Sequence, residues 1–247
     1  MPSSPAGARA ATRERLARLP RIQLALLPTP LEPLPRLSAA LGGPKIYAKR
    51  DDLTGLAFGG NKTRQLEFVL GDLVRQKPDV FVTGANIQSN WSRQSAAAAA
   101  RLGIPIVLLL RNAEMQEIQG NVLLDYWLGA DVRFTSEPNM TTVMRVQLDG
   151  VVDELVAQGR RACKIDPWHP GTAVSYVDMA VELHQQCEAM AIDPTRIWLA
   201  AAGPTQAGME LGARMLGWDV QITGVTPLLW SDGTLPELIS DAATRTA

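Results

Sequence analysis

The sequence predicts a layered α/β fold, with parallel strands covered by helices on both sheet faces. Two observations carry that prediction. Short strand-like runs alternate with longer stretches of helical period from residue 45 to residue 225, and strand, helix, strand at these lengths means parallel pairing through crossover connections. Three of the turns leading into helices also hold small, polar or charged residues, at the place where open parallel sheets bind ligands.

Taken along the chain, MPSSPAGARAATRERLARLP opens with an arginine-rich composition in which Glu14 is the single acid. That composition resembles an organellar transit peptide. A disordered start followed by a short helix, TRERLARLP, is the favoured reading, because it runs directly into patterned chain. Strands are expected at 45–50, 79–84, 104–110, 131–136, 196–203 and 219–225. Helices are expected at 62–76, 90–102, 119–128, 142–159, 173–190 and 205–217. In the first of these helices Leu66, Val69, Leu70 and Leu73 share one face, and Asn61 is placed to cap its N-terminus. DPWHPG at 166–171 is the best hinge candidate, from its two prolines and glycine.

With 247 residues, 46% of them hydrophobic, the chain can bury a core as one or two domains. Lys and Arg number 24 against 25 Asp and Glu, so no global field draws the protein to nucleic acid or to anionic lipid. A small-molecule partner is expected instead. IPIVLLL at 104–110 is typical of the longest apolar runs, and these fall far short of the ~18 residues that would span a bilayer. Cys163 and Cys187 are too few for a disulfide framework; they read as inert core thiols, and a reducing cytoplasm fits. No metal site is expected, since His169 and His184, the only histidines, form no ligand motif. His184 is expected on a helix surface and His169 in a turn.

Chemistry is concentrated in the three turns. GGNK at 59–62 puts a lysine at the first turn of a helix, where the macrodipole disfavours a cation by about 0.3–1 kcal/mol. TGANIQSNWSRQ at 83–94 and AAAGPTQAGM at 200–209 place small or polar residues at helix N-termini, whose unpaired N–H groups attract anions. One amine with a phosphate cradle and a carboxylate cradle is what pyridoxal phosphate chemistry requires. Bland readings stand beside it: Lys62 as a solvated helix lysine, Ser89 as a helix cap, and 203–208 as a tight turn.

KRDDLTGLAFGGNKTRQLEF at 49–68, followed by GANIQSNWSRQSAAAAARLG at 84–103, resembles the family of D-cysteine desulfhydrases and 1-aminocyclopropane-1-carboxylate deaminases. The resemblance begins at LPTPLEPLPRLSAALGG, 27–43, and extends more weakly through AAAGPTQAGMELG, 200–212. It implies the two-domain tryptophan-synthase-β-like fold of pyridoxal-phosphate enzymes, and a cytoplasmic homodimer acting on an amino acid. Lys62 would be the Schiff-base lysine and the proton carrier at the substrate α-carbon. Asn90 would bond the cofactor's phenolic oxygen, Asn86, Gln88 and Ser89 would bind the substrate carboxylate, and Gly203, Pro204 and Thr205 would hold the phosphate. Ser89 could also assist proton transfer, while Gly59 and Gly60 would let backbone approach the cofactor without a Cβ clash.

The resemblance implies a cofactor-bearing domain of 1–64 and 163–247, and a domain of 65–162 that carries the carboxylate loop and closes over substrate. The phosphate loop, AAAGPT, is poorer in glycine and serine than the family's. Trp91 after Asn90 matches neither subgroup, and PELISDAATRTA stops within a helical pattern where relatives continue. A part of the fold beyond residue 247 is therefore expected to be missing. Two readings stay open: a lyase or deaminase of a D-cysteine-like thiol amino acid or of the cyclopropane amino acid, or a degenerate or truncated homologue that binds cofactor or metabolite without turnover.

Overall fold

The computed structural model describes residues 5–111, 117–201, 203–226 and 244. They form two compact units. One takes the N-terminal segment to Pro20, Ala25–Thr54 and the chain from Pro170; the other takes Arg21–Leu24 and Gly55–His169. The hinge candidate at 166–171 contains one of the points where the chain passes between units, His169 to Pro170.

The unit of 55–169 is built on four strands, β3 (Val80–Asn86), β4 (Ile106–Arg111), β5 (Asp131–Thr135) and β6 (Ala162–Lys164). All pair parallel, in the order β5-β4-β3-β6, with Phe81 opposite Ile106, Val107 opposite Asp131 and Val80 opposite Ala162. Successive side chains leave a strand on opposite faces, and the core divides accordingly. Phe81, Ile106, Leu108 and Leu110 pack with α3 (Lys62–Leu73), α4 (Asn90–Leu102) and α5 (Gly120–Trp127) through Leu66, Leu70, Trp91, Ala96 and Val122. Val80, Val82, Val107 and Leu109 pack with Val143, Leu148, Val151 and Leu155 from the helical run 140–157. Helices therefore cover both faces, as expected. That run opens as a short turn capped by Asn139, passes through a wide turn at Val143–Gln147 and continues as a regular helix, Leu148–Ala157.

Two features draw the edges of this unit differently from the expected 65–162. β6, which the sequence reading overlooked, pairs with β3 and brings 163–169 in. Arg21–Leu24 are held by Glu67 of α3, whose buried carboxylate accepts from Arg21 Nε at 2.8 Å and from the Leu24 amide at 2.8 Å.

In the other unit β7 (Arg196–Ala200) and β8 (Gln221–Val225) pair parallel. α8 (Pro170–Ala189) and α9 (Pro204–Leu216) pack around Tyr176, Ala180, Leu183, Met209 and Leu216. Their approach requires glycine: a Cβ on Gly208 would sit 2.1 Å from the Ala173 carbonyl oxygen, and one on Gly212 2.5 Å from the Ala180 Cβ. The first helix, α1 (Pro5–Ala17), packs on α8 and α9 and starts well before the expected TRERLARLP. Its partner is a correction. His184 is not on the helix surface but buried, edge-on to Trp218 at 4.9 Å and 3.1 Å from the Arg9 guanidinium.

The 45–50 strand also departs from the expected parallel pairing. Tyr47–Lys49 runs antiparallel to Leu31–Pro33, a pairing of strands so short that pattern alone gave no sign of the second one. His169 lies in a turn as expected, with Nε2 3.3 Å from Asp72 Oδ2. Cys163 and Cys187 are buried free thiols, and burial raises both above the ordinary thiol range. Among the described residues no helix is long and apolar enough to cross a membrane. The helical pattern at 236–247 and Ala202 of the third turn lie outside the described residues, save Thr244.

Candidate active site

Lys62 is the first residue of α3 and is half-buried. Its amine makes no hydrogen bond or ion pair with any described residue, and burial pushes it below the ordinary lysine range. The local structure explains its place. The preceding loop runs with positive φ at Ala57 (44°), Phe58 (68°), Gly59 (75°) and Gly60 (122°), a conformation that costs non-glycine residues about 1–3 kcal/mol each. Two side chains of α4 hold it. The Gly59 carbonyl accepts from Arg93 Nη2 at 2.9 Å and from Gln94 Nε2 at 3.1 Å, and Gln94 Oε1 accepts from the Thr63 hydroxyl at 2.7 Å.

A Cβ on Gly60 would lie 2.5 Å from Gln94 Nε2, so Gln94 is a close neighbour of that glycine within the chain. One expectation is corrected. Asn61 does not cap α3 with its side chain, because its own backbone is already helical (φ −63°, ψ −21°) and so does not swing the side chain over the first-turn amides.

Ser89 is the N-cap of α4, with extended backbone at φ −71°, ψ 127°. Its hydroxyl accepts from the amides of Trp91 at 3.1 Å and Ser92 at 3.3 Å, and the hydroxyl proton has no acceptor among the described residues. The capping role therefore leaves a donor to spare. Trp91 is buried and turns to the sheet, donating through Nε1 to Thr83 Oγ1 at 3.0 Å. Asn86, Gln88 and Asn90 are exposed along the same loop. Asn86 Oδ1 accepts from Arg111 Nε at 2.8 Å. Asn121, near the start of α5, latches the others: its Nδ2 donates to the Gln88 carbonyl at 2.8 Å and to Asn90 Oδ1 at 3.0 Å, and its amide donates to Gln88 Oε1 at 2.8 Å.

The third group lies in the other unit. Gly203 is the N-cap of α9 with φ 115°, Pro204 occupies the first helical position, and Thr205 is buried. Proline there loses nothing, because that amide has no intrahelical partner and the ring's φ suits the helix. Gly224 of β8 makes room for Gln206, whose Oε1 would lie 2.0 Å from an added Cβ. A helix N-terminus of this kind is electrostatically suited to an anion.

Four residues at the site escaped sequence reasoning: Arg93, Gln94, Asn121 and Asp125. Signals existed. Gln94 is a polar residue in an alanine-rich helix, and Asp125 is an acid within NVLLDYWLG. Asp125 is fully buried, neither carboxylate oxygen has a hydrogen-bond partner among the described residues, and burial raises it to about 7 against the opposing charge of Arg93.

In one unit, a desolvated primary amine without a partner among the described residues, beside a spare hydroxyl, suits a carbonyl-bearing cofactor; in the other, a helix N-terminus suits an anion. Comparison with known proteins agrees. The family profile described as pyridoxal-phosphate dependent enzyme matches residues 22–234. D-cysteine desulfhydrase of Klebsiella pneumoniae subsp. pneumoniae is 40% identical over 235 residues, which are 92% of this chain and 70% of its own length. The Salmonella paratyphi B protein of the same name is 39% identical over 218 residues, 85% of this chain and 65% of its own length. The chain thus spans about two thirds of the length of these curated relatives. The crystal structure of an ACC deaminase homologue superposes with a TM-score of 0.88 at 31% identity, over 96% of this chain and 71% of that one. The α/β fold is the tryptophan-synthase-β-like one that the sequence predicts.

Proposed function

The chain belongs to the pyridoxal-phosphate-dependent enzyme family, and on that premise we propose that it is a lyase or deaminase releasing ammonia and a 2-oxo acid from a small amino acid. The favoured substrate is a D-cysteine-like thiol amino acid, in line with the name carried by relatives 39–40% identical. The cyclopropane amino acid is the second reading, supported by likeness to the ACC deaminase homologue.

Lys62 is the observation that carries the reading. A lysine left charged and solvated would be a poor nucleophile; one half-buried without a counter-ion among the described residues, its amine shifted toward the neutral form, is prepared for a carbonyl. Bound pyridoxal phosphate supplies that carbonyl and a ring that accepts negative charge from the substrate α-carbon. The rest is assigned to the chain's own groups. Lys62 would hold the cofactor and move the proton at the α-carbon, and Asn90 would orient the ring. Asn86, Gln88 and Ser89 would bind the substrate carboxylate, the Ser89 hydroxyl donating its spare proton. Gly203, Pro204 and Thr205 would hold the phosphate.

For setting and assembly the reading is a cytoplasmic homodimer. Two buried free thiols suit a reducing compartment, and Trp127, 75% exposed, leaves apolar surface for a partner.

Incubation with pyridoxal phosphate should give the protein a visible absorbance band, and borohydride should then fix the cofactor's mass on the peptide containing Lys62. Lys62→Ala should abolish both, together with ammonia release from D-cysteine. An adduct mapped to a different lysine would overturn the assignment.

A further inference from the structure

The two segments assigned to amine and carboxylate binding meet at one guanidinium. Arg93 Nη2 donates to the Gly59 carbonyl at 2.9 Å, three residues before Lys62. Its Nη1 donates to Asn121 Oδ1 at 3.0 Å, and Asn121 in turn holds Gln88 and Asn90 through three hydrogen bonds of 2.8–3.0 Å.

Behind this fork sits Asp125, one helical turn beyond Asn121 and on the same face of α5. It is fully buried, and its two carboxylate oxygens, like Arg93 Nε, have no hydrogen-bond partner among the described residues. A buried carboxyl that accepts no hydrogen bond is a net cost to folding, which an apolar residue of similar size would avoid. What it does supply is a field on Arg93: burial lowers the guanidinium's proton affinity and Asp125 opposes that.

We propose that Arg93 is a positioning residue, with Asp125 as its buried counter-charge, that couples the Gly59–Gly60 loop before Lys62 to the 86–90 loop and so fixes the amine against the carboxylate-binding groups. The catalytic benefit rests on the function proposed above; the coupling of the two loops does not. A lysine could not substitute fully, since a single ammonium lacks the planar fork that reaches two acceptors in fixed directions. Asp125 acts on the loops only through Arg93.

Amide hydrogen exchange on the holoprotein, read together with steady-state kinetics on D-cysteine, tests this. Arg93→Gln should raise exchange in 55–61 and in 86–90 together by about 10-fold or more, where local opening reports lost tethering. It should also lower kcat/KM by about 10- to 100-fold, the usual effect of misplacing reacting groups by an ångström. Asp125→Asn should act in the same direction but less, and in the Arg93→Gln background it should add nothing, since groups acting through one another are not additive. If Arg93→Gln does not fold, Arg93→Lys is judged by the same criteria. Exchange that rises in one segment only, or that stays at the wild-type level in both, overturns the coupling. Additive effects of the two substitutions overturn the role of Asp125. Coupled exchange in a protein that neither binds cofactor nor turns over would leave the coupling standing and remove the proposed function instead.

Discussion

At the scale of single residues, the site is a set of groups whose ordinary satisfaction has been withheld. Lys62 has no counter-ion among the described residues, and the Ser89 hydroxyl proton has no acceptor there. Pro204 is the opposite case, a residue whose chemistry looks wrong for a phosphate loop until its position is known. At the first helical position of α9 its missing N–H removes no donor that the helix would have used. Pro204→Gly should therefore leave cofactor affinity unchanged or weaken it, up to about 10-fold, because glycine adds freedom to the unbound loop. Titration of pyridoxal phosphate into the apo forms of both proteins measures it. Tighter binding in the glycine variant would mean that the proline faces the phosphate and obstructs it.

At the scale of elements, the helices from Lys62 to Leu216 and the longer strands were legible because each carries a full period of pattern. Leu66, Val69, Leu70 and Leu73 on α3 all reach the core, as their spacing requires. The three-residue strands Leu31–Pro33 and Ala162–Lys164 were not legible, since their pairing is decided by distant chain. The same limit applies to the site. Lys62 and Ser89 are visible beside their turns, but Arg93, Asn121 and Asp125 act across α4 and α5, and only folding brings them together.

Asp125 also makes a prediction at the element scale. Its carboxyl titrates near 3.8 in an ordinary setting and is raised to about 7 in the folded chain. Below pH 4 it is protonated in both states and costs nothing extra. As pH rises from about 4 to 7 the unfolded chain ionises first, binds fewer protons than the folded one, and stability falls; above that range the loss is constant. Asp125→Asn should remove this slope, gaining on the order of 2–4 kcal/mol over wild type at pH 8 relative to pH 4. Urea denaturation of both proteins at those two pH values reads it. Parallel pH profiles would mean that Asp125 is ionised in the folded state at low pH.

At the scale of the whole molecule, the chain's two units are joined at a few points, and one of them coincides with a segment marked by its prolines and glycine alone. The 166–171 turn is not loose. Asp166 Oδ1 accepts from the Trp168 amide at 2.8 Å, the Asp166 carbonyl accepts from the His169 amide at 3.1 Å, and His169 reaches Asp72 of α3. A turn closed on its own aspartate in this way has its backbone angles set locally. Such a segment can act as a hinge of defined geometry, absorbing change at a few residues. Asp166→Ala removes the side-chain acceptor while leaving the backbone bond and both compact units' cores untouched. Hydrogen exchange should rise at 166–169 alone, and the visible band per mole of bound cofactor should be unchanged. If the crossing governs closure over substrate, kcat and KM for D-cysteine should shift together, by about 3- to 10-fold, as hinge substitutions characteristically do. Raised exchange at the turn with kinetics identical to wild type would make 166–171 a connector only, and would place any closing motion elsewhere in the chain.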